Sequence, residues 1–257
     1  AHPFLGVGTG VAFSTDGTRV AYAAMDGEQW RMVIDGEPQP AYENVGQFLF
    51  SPDGTRTAYA AMKAGKWRVV LDASDQPPLD AIAEGSLLFS PDGKHFAYSA
   101  QAGGAWRVVF DGEQGEAFED IGQMLFSPNS EHFAYQAMAA GAQLVVLDGK
   151  QGRVLDRVGG GTLVFSPNSA RFGYVARIGD ASFVLVDGVR KPRYDMVGYL
   201  TFSPDSRVCA YAATKGAEAF TVVDDHESPL RYQQIWTVPD ARFPFSVRDA
   251  FHYFGLK

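Results

Sequence analysis

Apolar and polar positions follow a pattern of fixed period along this chain. A short apolar run ends on a phenylalanine, a polar turn follows, and further short apolar runs come next. The anchor phenylalanines are spaced by 37, 39, 37, 39 and 37 residues. They are Phe13, Phe50, Phe89, Phe126, Phe165 and Phe202. A fixed spacing of this size is typical of repeat proteins, in which each repeat is one supersecondary unit.

Each repeat divides into four segments that we expect to be short strands. The first ends on the anchor phenylalanine, and the second follows a turn such as Ser51-Pro52-Asp53-Gly54 and contains a tyrosine. Proline presets φ in such a turn, and glycine accepts a positive φ. The third segment ends on aspartate, as in Trp67 to Asp72, and the fourth has the form Leu79-Asp80-Ala81-Ile82. Four strands per repeat predict the blades of an all-β β-propeller.

The two chain ends supply the segments of one further blade. Phe4 to Gly8 resembles a fourth segment, and Ile235 to Val238, Phe243 to Val247 and Phe251 to Phe254 resemble the first three. A blade built from both ends would close the ring and protect its edge strands. We therefore expect a single propeller domain over residues 1–257 with seven blades. Six blades with an external tail are the alternative, because one of these segments contains a proline.

Two departures from the repeat carry structural predictions. The longer spacings come from extra residues near Ala83-Glu84 and Gly159-Gly160, so the repeats alternate in pairs. Serine replaces the turn glycine in the last three repeats, which predicts strain or another turn type. These serines are Ser130, Ser169 and Ser206.

Composition narrows the classes of function. The net charge of −8 argues against nucleic acid, whose binding proteins are usually basic. No apolar run reaches the roughly 18 residues of a membrane helix, so we expect no membrane insertion. The single cysteine, Cys209, lies in a second segment and is expected to be a small buried side chain. We expect no cofactor.

The run Phe89-Ser90-Pro91-Asp92-Gly93, followed by a strand with an aromatic residue, resembles the TolB-type propeller repeats, a WD-repeat-like family. The resemblance covers residues 10 to about 225. Such repeats occur in extracytoplasmic bacterial proteins, where they mostly bind proteins, and in prolyl-oligopeptidase-like enzymes, where they gate a hydrolase domain. The resemblance implies a periplasmic or secreted protein, with the cytoplasm as the alternative. It implies a fold and no particular ligand, and the sequence has no Gly-x-Ser-x-Gly elbow.

The first segments line the central channel of a propeller. In all six repeats they lack charged, histidine and cysteine side chains. A channel metal needs carboxylate or imidazole ligands, so we expect no metal site. The predicted channel-lining side chains would hold water or grip a polar ligand. They are Gln47, Ser86, Gln123, Thr162 and Tyr199.

An acidic residue recurs in the fourth segments as Glu43, Asp80, Glu119, Asp156 and Asp195. Twelve residues earlier, the first three repeats carry Arg31, Arg68 and Arg107, which we expect to face the acids across a hairpin. Asp156 and Asp195 lack that arginine, since Leu144 and Phe183 replace it. These two carboxylates are therefore a candidate site for a cation, a sugar hydroxyl or a basic partner. Solvation, or pairing with Arg157 or Arg193, is the structural alternative.

Two further sets of side chains recur at one position. Trp30, Trp67 and Trp106 begin three consecutive third segments and would form a platform for a carbohydrate or peptide, or pack between blades. Basic residues begin five second segments, and we expect them to pair with turn acids such as Asp16. They are Arg19, Arg56, His95, His132 and Arg171.

The favoured function is a non-catalytic, monomeric binding module or scaffold for a protein or peptide partner. Carbohydrate is the second ligand class. A hydrolase or lyase at the rim is one alternative, and it would use Asp156, Asp195 and the loop at His226-Glu227 for acid–base chemistry. An accessory domain of a larger protein is the other.

Overall fold

A computed structural model describes residues 6–236 and 254–256, and the side chains of residues 10–233. The chain divides into two compact units, Ala1–Ile121 and Gly122–Lys257. Over the described ranges every regular element is a β-strand. None of these residues forms a helix long and apolar enough to cross a membrane.

The first unit contains three antiparallel sheets whose strands follow one another in chain order. Sheet 1 consists of β1 (Gly6–Phe13), β2 (Val20–Asp26), β3 (Gln29–Ile34) and β4 (Glu37–Tyr42). Sheet 2 consists of β5 (Asn44–Phe50), β6 (Thr57–Lys63), β7 (Lys66–Leu71) and β8 (Ser74–Asp75). Sheet 3 consists of β9 (Ala81–Ile82), β10 (Leu88–Phe89), β11 (Phe96–Ala102), β12 (Ala105–Phe110) and β13 (Glu113–Gln114).

The second unit repeats this arrangement. Sheet 4 consists of β14 (Asp120–Phe126, which begins at the end of the first unit), β15 (Phe133–Ala139), β16 (Ala142–Leu147) and β17 (Lys150–Gln151). Sheet 5 consists of β18 (Arg157–Val158), β19 (Val164–Phe165), β20 (Phe172–Ile178), β21 (Ala181–Val186) and β22 (Val189–Arg190). Sheet 6 consists of β23 (Met196–Phe202), β24 (Cys209–Lys215), β25 (Glu218–Val223) and β26 (His226–Glu227). A separate pair joins β27 (Gln234–Trp236) to β28 (Phe254–Leu256).

Sheets of four antiparallel strands in chain order are the blades of a β-propeller. The predicted all-β propeller class is therefore confirmed. Within each unit the core lies between neighbouring sheets. The middle strands are buried on both faces: Thr57 to Ala61 of β6 are all buried, although side chains alternate between faces along a strand. Cys209 on β24 is fully buried, as expected.

The fourth strand differs from the prediction. It begins directly after the turn that ends the third strand, so that Val186 pairs with Val189 in sheet 5. The segment predicted to be a fourth strand crosses between sheets instead. Tyr194 bridges back to Ser182, whereas Val197 already pairs with β24 of sheet 6. The tight turn decides this, because a two-residue hairpin loop makes pairing start at its flanking residues.

One part of the prediction for the chain ends is wrong. Gly6 and Val7 pair with Met25 and Ala24, so they extend the first strand of sheet 1 and form no fourth strand of a further blade. The segments at 237–253, and residues 1–5, lie outside the described residues. The number of blades and the single domain over residues 1–257 therefore stay predictions.

The first strands alternate in form, as the alternating spacing predicted. In sheets 1, 2 and 6 the first strand is continuous and its register shifts once, between Val45 and Phe48 in sheet 2. In sheets 3 and 5 the extra residues break it in two, into β9 and β10 and into β18 and β19. One register shift is the mark of a β-bulge, and the inserted residues enlarge that bulge into a loop.

The turn after each first strand is held by a buried serine. Ser51 is fully buried, and its hydroxyl donates to Asp53 Oδ1 (2.5 Å) and accepts from the backbone N–H of Arg56 (2.9 Å). The serines that replace glycine keep the same positive φ, 65° at Ser169 against 72° at Gly54. The turn type is therefore unchanged. Ser169 Oγ accepts from the backbone N–H of Asn129 in the preceding sheet (3.0 Å).

We predict that Ser51→Ala lowers the free energy of unfolding by about 1–3 kcal/mol, because the part-buried N–H of Arg56 loses its acceptor. Thr55→Ala is the control, since its hydroxyl bonds the same carboxylate at an exposed position. We expect it to change stability by less than about 0.5 kcal/mol. Urea unfolding followed by circular dichroism measures both, and equal midpoints for the two variants would contradict the prediction.

We predict an acid-sensitive stability that originates in these turns. Hydrogen bonds from Ser14 and Thr18 lower the pKa of Asp16 to about 2, and a serine likewise lowers the pKa of Asp53 and Asp205. A folded pKa below the unfolded pKa of about 4 stabilises the fold above that pH, and the contribution is lost as pH falls toward 2.

Asparagine already fills this position in two turns, where Ser127 and Ser166 donate to Asn129 and Asn168. Replacing the turn aspartates by asparagine removes the titrating group but keeps the acceptor. The variant with Asn at positions 16, 53 and 205 should therefore lose less stability than the native protein in urea unfolding between pH 5 and pH 2. Parallel pH profiles would refute this origin.

Candidate functional site

A groove lies beside the first strand of sheet 2. Its larger cavity has a volume of about 590 Å³ and lies between β1 and β5. Its wall includes the large side chains of Tyr22, Trp30, Met32 and Phe48, together with smaller apolar residues of β1, β2 and β5. The exposed carboxylate of Glu84 reaches its edge.

A smaller cavity of about 280 Å³ lies on the other side of β5, between that strand and sheet 3. Trp67, Ile82 and Leu87 border it. Asn44, Val45, Gly46, Gln47 and Glu84 border both cavities. The two cavities thus share a wall, and a tryptophan lies in each. We use the name β5 groove for this pair of cavities.

The register of the sheets places the tryptophans. Trp30 pairs with Met25 and Trp67 with Met62, in each case opposite the end of the second strand. Both indoles are half-buried. A Cβ on Gly46 would lie 3.7 Å from the Trp67 ring, an ordinary van der Waals distance, so β5 packs directly against the indole. Trp106 has the same register in sheet 3 but lines neither cavity.

Two of the polar side chains predicted to line a channel form hydrogen bonds with the protein backbone. Gln47 donates to the carbonyl of Leu87 (3.2 Å) and accepts from its N–H (3.1 Å). Gln123 makes the same pair of bonds to Leu163. Each glutamine thereby provides hydrogen-bond partners for the backbone N–H and carbonyl of a residue in the interrupted first strand of the next sheet.

Of the other three predicted residues, Ser86 and Thr162 lie in the loops that interrupt the first strands of sheets 3 and 5, and Tyr199 lies on β23. Ser86 Oγ donates to the carbonyl of Ser99 (3.3 Å), and Thr162 Oγ1 donates to the carbonyl of Gly159 (2.8 Å). Tyr199 occupies a bulge with a positive φ of 57° and is half exposed. Their predicted role in binding stays a prediction, but the hydroxyls of Ser86 and Thr162 already have backbone partners.

The recurring acids cap the hairpins of the following sheets. Glu43 accepts from the N–H groups of Ala64 and Gly65. Asp156 accepts from Gly179 (2.6 Å) and Asp195 from Gly216 (2.7 Å). Asp80 accepts from Gly103 and from Lys66, which together lower its pKa, with Lys66 as the larger cause.

The predicted arginine partners of these acids bind other groups. Arg68 contacts Asp75 (3.2 Å), and Arg31 contacts Asp26 (3.3 Å). Arg107 donates to the carbonyl of Gly115. The cause is again the early start of the fourth strand, which moves each acid out of the hairpin. A ligand role for Asp156 and Asp195 stays a prediction, and each already accepts one backbone bond.

The basic residues at the start of the second strands pair with the aspartate that ends the third strand, and not with the turn acids. Arg56 Nε lies 2.9 Å from Asp72, and His132 Nδ1 lies 2.8 Å from Asp148. His95 pairs in the same way with Asp111 (2.6 Å). Among the residues with described side chains, no three His, Cys, Asp or Glu side chains cluster as metal ligands would.

Sequence reasoning missed part of the β5 groove. Tyr22, Phe48 and Glu84 were not among the predicted site residues, although they line it. A signal for Glu84 existed, because it lies in the two-residue insertion that breaks the first strand of sheet 3. No signal marked Tyr22, whose repeat equivalents Tyr59 and Tyr98 are buried in the core.

No protein-family model and no curated protein matches the sequence. Similar solved structures include TolB from Acinetobacter baumannii, with 16% identity, a TM-score of 0.39 and coverage of 84% of this chain. The chain spans 61% of the length of that TolB chain. The β-propeller domain of the Trilobed protease from Pyrococcus furiosus has 12% identity and a TM-score of 0.44, with coverage of 91% of this chain and 85% of that chain.

TolB and a TolB-like propeller are thus among the structures that this chain resembles, as the repeat predicted. At TM-scores this low the likeness carries no argument. The assignment of propeller blades rests on the strand order and the registers.

We predict that Gln47→Ala lowers the free energy of unfolding by about 1–3 kcal/mol, because it leaves the N–H and carbonyl of buried Leu87 without partners. Gln76→Ala is the matched control, since its amide makes a single, long, exposed bond of 3.4 Å. Urea unfolding of both variants measures the difference. The role assigned to Gln47 is refuted when the two variants are equally stable.

Proposed function

We propose that this protein is a non-catalytic binding module that holds an extended peptide segment of a protein partner in the β5 groove. The observation that carries the proposal is the pair of adjoining cavities, about 590 and 280 Å³, with Trp30 in one and Trp67 in the other. Ligand pockets commonly have volumes of roughly 300–1,000 Å³ and mostly apolar linings.

An extended peptide fits this arrangement for geometric reasons. Side chains of an extended chain point alternately to opposite sides, so neighbouring residues of a bound strand can enter the two cavities on either side of β5. Indole rings give a large contact area at low entropic cost, because few torsions are fixed. Glu84 at the shared edge offers one carboxylate to a backbone N–H or a basic side chain.

The lining favours a peptide over a carbohydrate, the second ligand class. The larger cavity is walled mainly by Val11, Tyr22, Trp30, Met32 and Phe48. The hydroxyls of a sugar need several polar partners, since unpaired polar groups are costly to bury. Among the polar side chains there, Gln47 is already bonded to Leu87 at both ends of its amide.

Location and assembly belong to the same proposal. We infer an extracytoplasmic location, periplasmic or secreted, from the resemblance of the repeat to TolB-type propellers. We propose that the protein acts as a monomer. Asp156 and Asp195 are proposed as a further contact for a basic partner, each through the oxygen atoms that the bond to glycine leaves accessible.

The test is a selection from a random peptide library against the whole protein, followed by titration of the selected peptides. We expect the tryptophan fluorescence to change on binding. Glu84→Arg, which adds a long side chain at the mouth of both cavities, should weaken binding by about tenfold or more. Trp30→Ala and Trp67→Ala should do the same.

Trp106→Ala is the matched control, because Trp106 shares their repeat position and lines neither cavity; we expect a change of about twofold at most. Circular dichroism confirms that each variant is folded. Equal affinity of the native protein and Glu84→Arg would overturn the site. Binding of glycans from an array, with none of the peptides bound, would replace the peptide by a carbohydrate.

A further inference from the structure

Three arginines gather at the fourth strand of sheet 5. Arg190 lies on β22, Arg193 follows three residues later, and Arg153 lies on the segment that leads from sheet 4 to sheet 5. Arg153 and Arg193 are exposed, and Arg190 is half-buried. Within the described part of the chain, none of the three arginine side chains forms a hydrogen bond or an ion pair. This is unusual in a protein of net charge −8, because most of the other arginines with described side chains have carboxylate partners, as Arg171 does.

Neighbouring side chains fix the position of Arg190 and affect its charge. Its guanidinium lies 3.7 Å above the ring of Phe183, which is itself buried. Its Nε is buried without a hydrogen-bond partner. Burial, together with the charges of Arg193 and Arg153, lowers the pKa of Arg190. The three positive charges therefore act on one another without a negative charge between them.

The repeat shows what this position holds in other sheets. Asp75 in sheet 2 takes the place of Arg190; it accepts from the hydroxyl of Tyr42 (2.6 Å) and contacts Arg68 (3.2 Å). Glu227 takes that place in sheet 6 and pairs with Arg231 (2.9 Å). Those sheets thus place an acid with a basic partner where sheet 5 places a base. Among the described residues of the second unit, no acid forms an ion pair with Arg190.

We propose that Arg153, Arg190 and Arg193 form a binding site for the carboxylates of an acidic peptide segment in a protein partner. The planar guanidinium presents paired N–H donors that match a carboxylate. Stacking on Phe183 fixes the plane of Arg190 in advance, so less side-chain entropy is lost on binding. Exposed Val154 and Val189 are the sequence neighbours of Arg153 and Arg190, which favours a peptide with apolar residues among its acids over a small inorganic anion. The site lies in the second unit and does not depend on the β5 groove.

The test uses the full chain and a fluorescein-labelled peptide of alternating glutamate and leucine, followed by fluorescence anisotropy. We expect saturable binding that weakens as sodium chloride is raised. Arg193→Glu should weaken binding by about tenfold or more, because it places a like charge beside the ligand. Arg190→Gln should weaken it as well, since glutamine keeps a donor but loses the charged fork.

Arg207→Glu is the matched control. Arg207 lies in the same unit, is exposed, and is 3.7 Å from Asp205, so the variant makes the same change of net charge at another place. We expect its affinity to stay within about twofold of the native value. Circular dichroism shows whether each variant is folded.

Four results would overturn the proposal. The first is that the native protein does not bind the acidic peptide, and the second is that Arg193→Glu and Arg207→Glu lose equal affinity for it. The third is that a lysine-leucine peptide binds with the same affinity as the acidic peptide. The fourth is that inorganic phosphate binds saturably in a competition in which the acidic peptide does not bind. The last result would assign the site to a small anion instead of a peptide.

Discussion

The packing of neighbouring sheets depends on hydrogen bonds made by the aspartate that ends each third strand. Asp72 has a positive φ of 50°, and its carboxylate accepts from the backbone N–H of Thr57 and from Arg56 Nε, both at 2.9 Å. Arg56 is thereby aimed at the next sheet, where it donates to the carbonyls of Gly93 and Lys94 and lies 5.2 Å from the ring centroid of Phe89. One carboxylate thus closes a hairpin and fixes the spacing to the next blade. Asp187 and Arg171 repeat the arrangement against sheet 6.

The alternation of two kinds of sheet follows from a second contact of this type. A two-residue insertion breaks the first strand of sheet 3 and leaves the backbone of Leu87 without a strand partner. The amide of Gln47 supplies both missing bonds from the continuous strand of sheet 2. The insertion also places Glu84 at the edge of the β5 groove. The two-residue insertion therefore requires the hydrogen bonds from Gln47, and it also places a carboxylate beside the candidate binding groove.

Much of the fold could be predicted from the sequence, because the repeat fixed the first three strands and the turns. The fourth strand could not be placed, since the segment from Val189 to Tyr194 has no periodic pattern, and only the tight turn decides its register. The sequence identified the tryptophans as candidate site residues, but it did not predict which residues surround them. Trp30 and Trp67 each line one cavity of the groove because β5 passes beside them, and such an approach is not visible in composition or spacing.

The places where the repeat is broken carry the functional argument. Asp75 and Arg190 lie at equivalent positions. The carboxylate of Asp75 accepts a hydrogen bond from Tyr42 and forms an ion pair with Arg68. A structural role accounts fully for Asp75, because every contact it makes joins strands or sheets. Among the described residues, the Arg190 side chain has a stacking contact with Phe183 and two like charges nearby, and no acid pairs with it. The repeat thus provides a charged partner at this position in sheet 2 but not in sheet 5. The positive charge of Arg190 can be neutralised by a group from another molecule, and the geometry of a carboxylate matches that of the guanidinium.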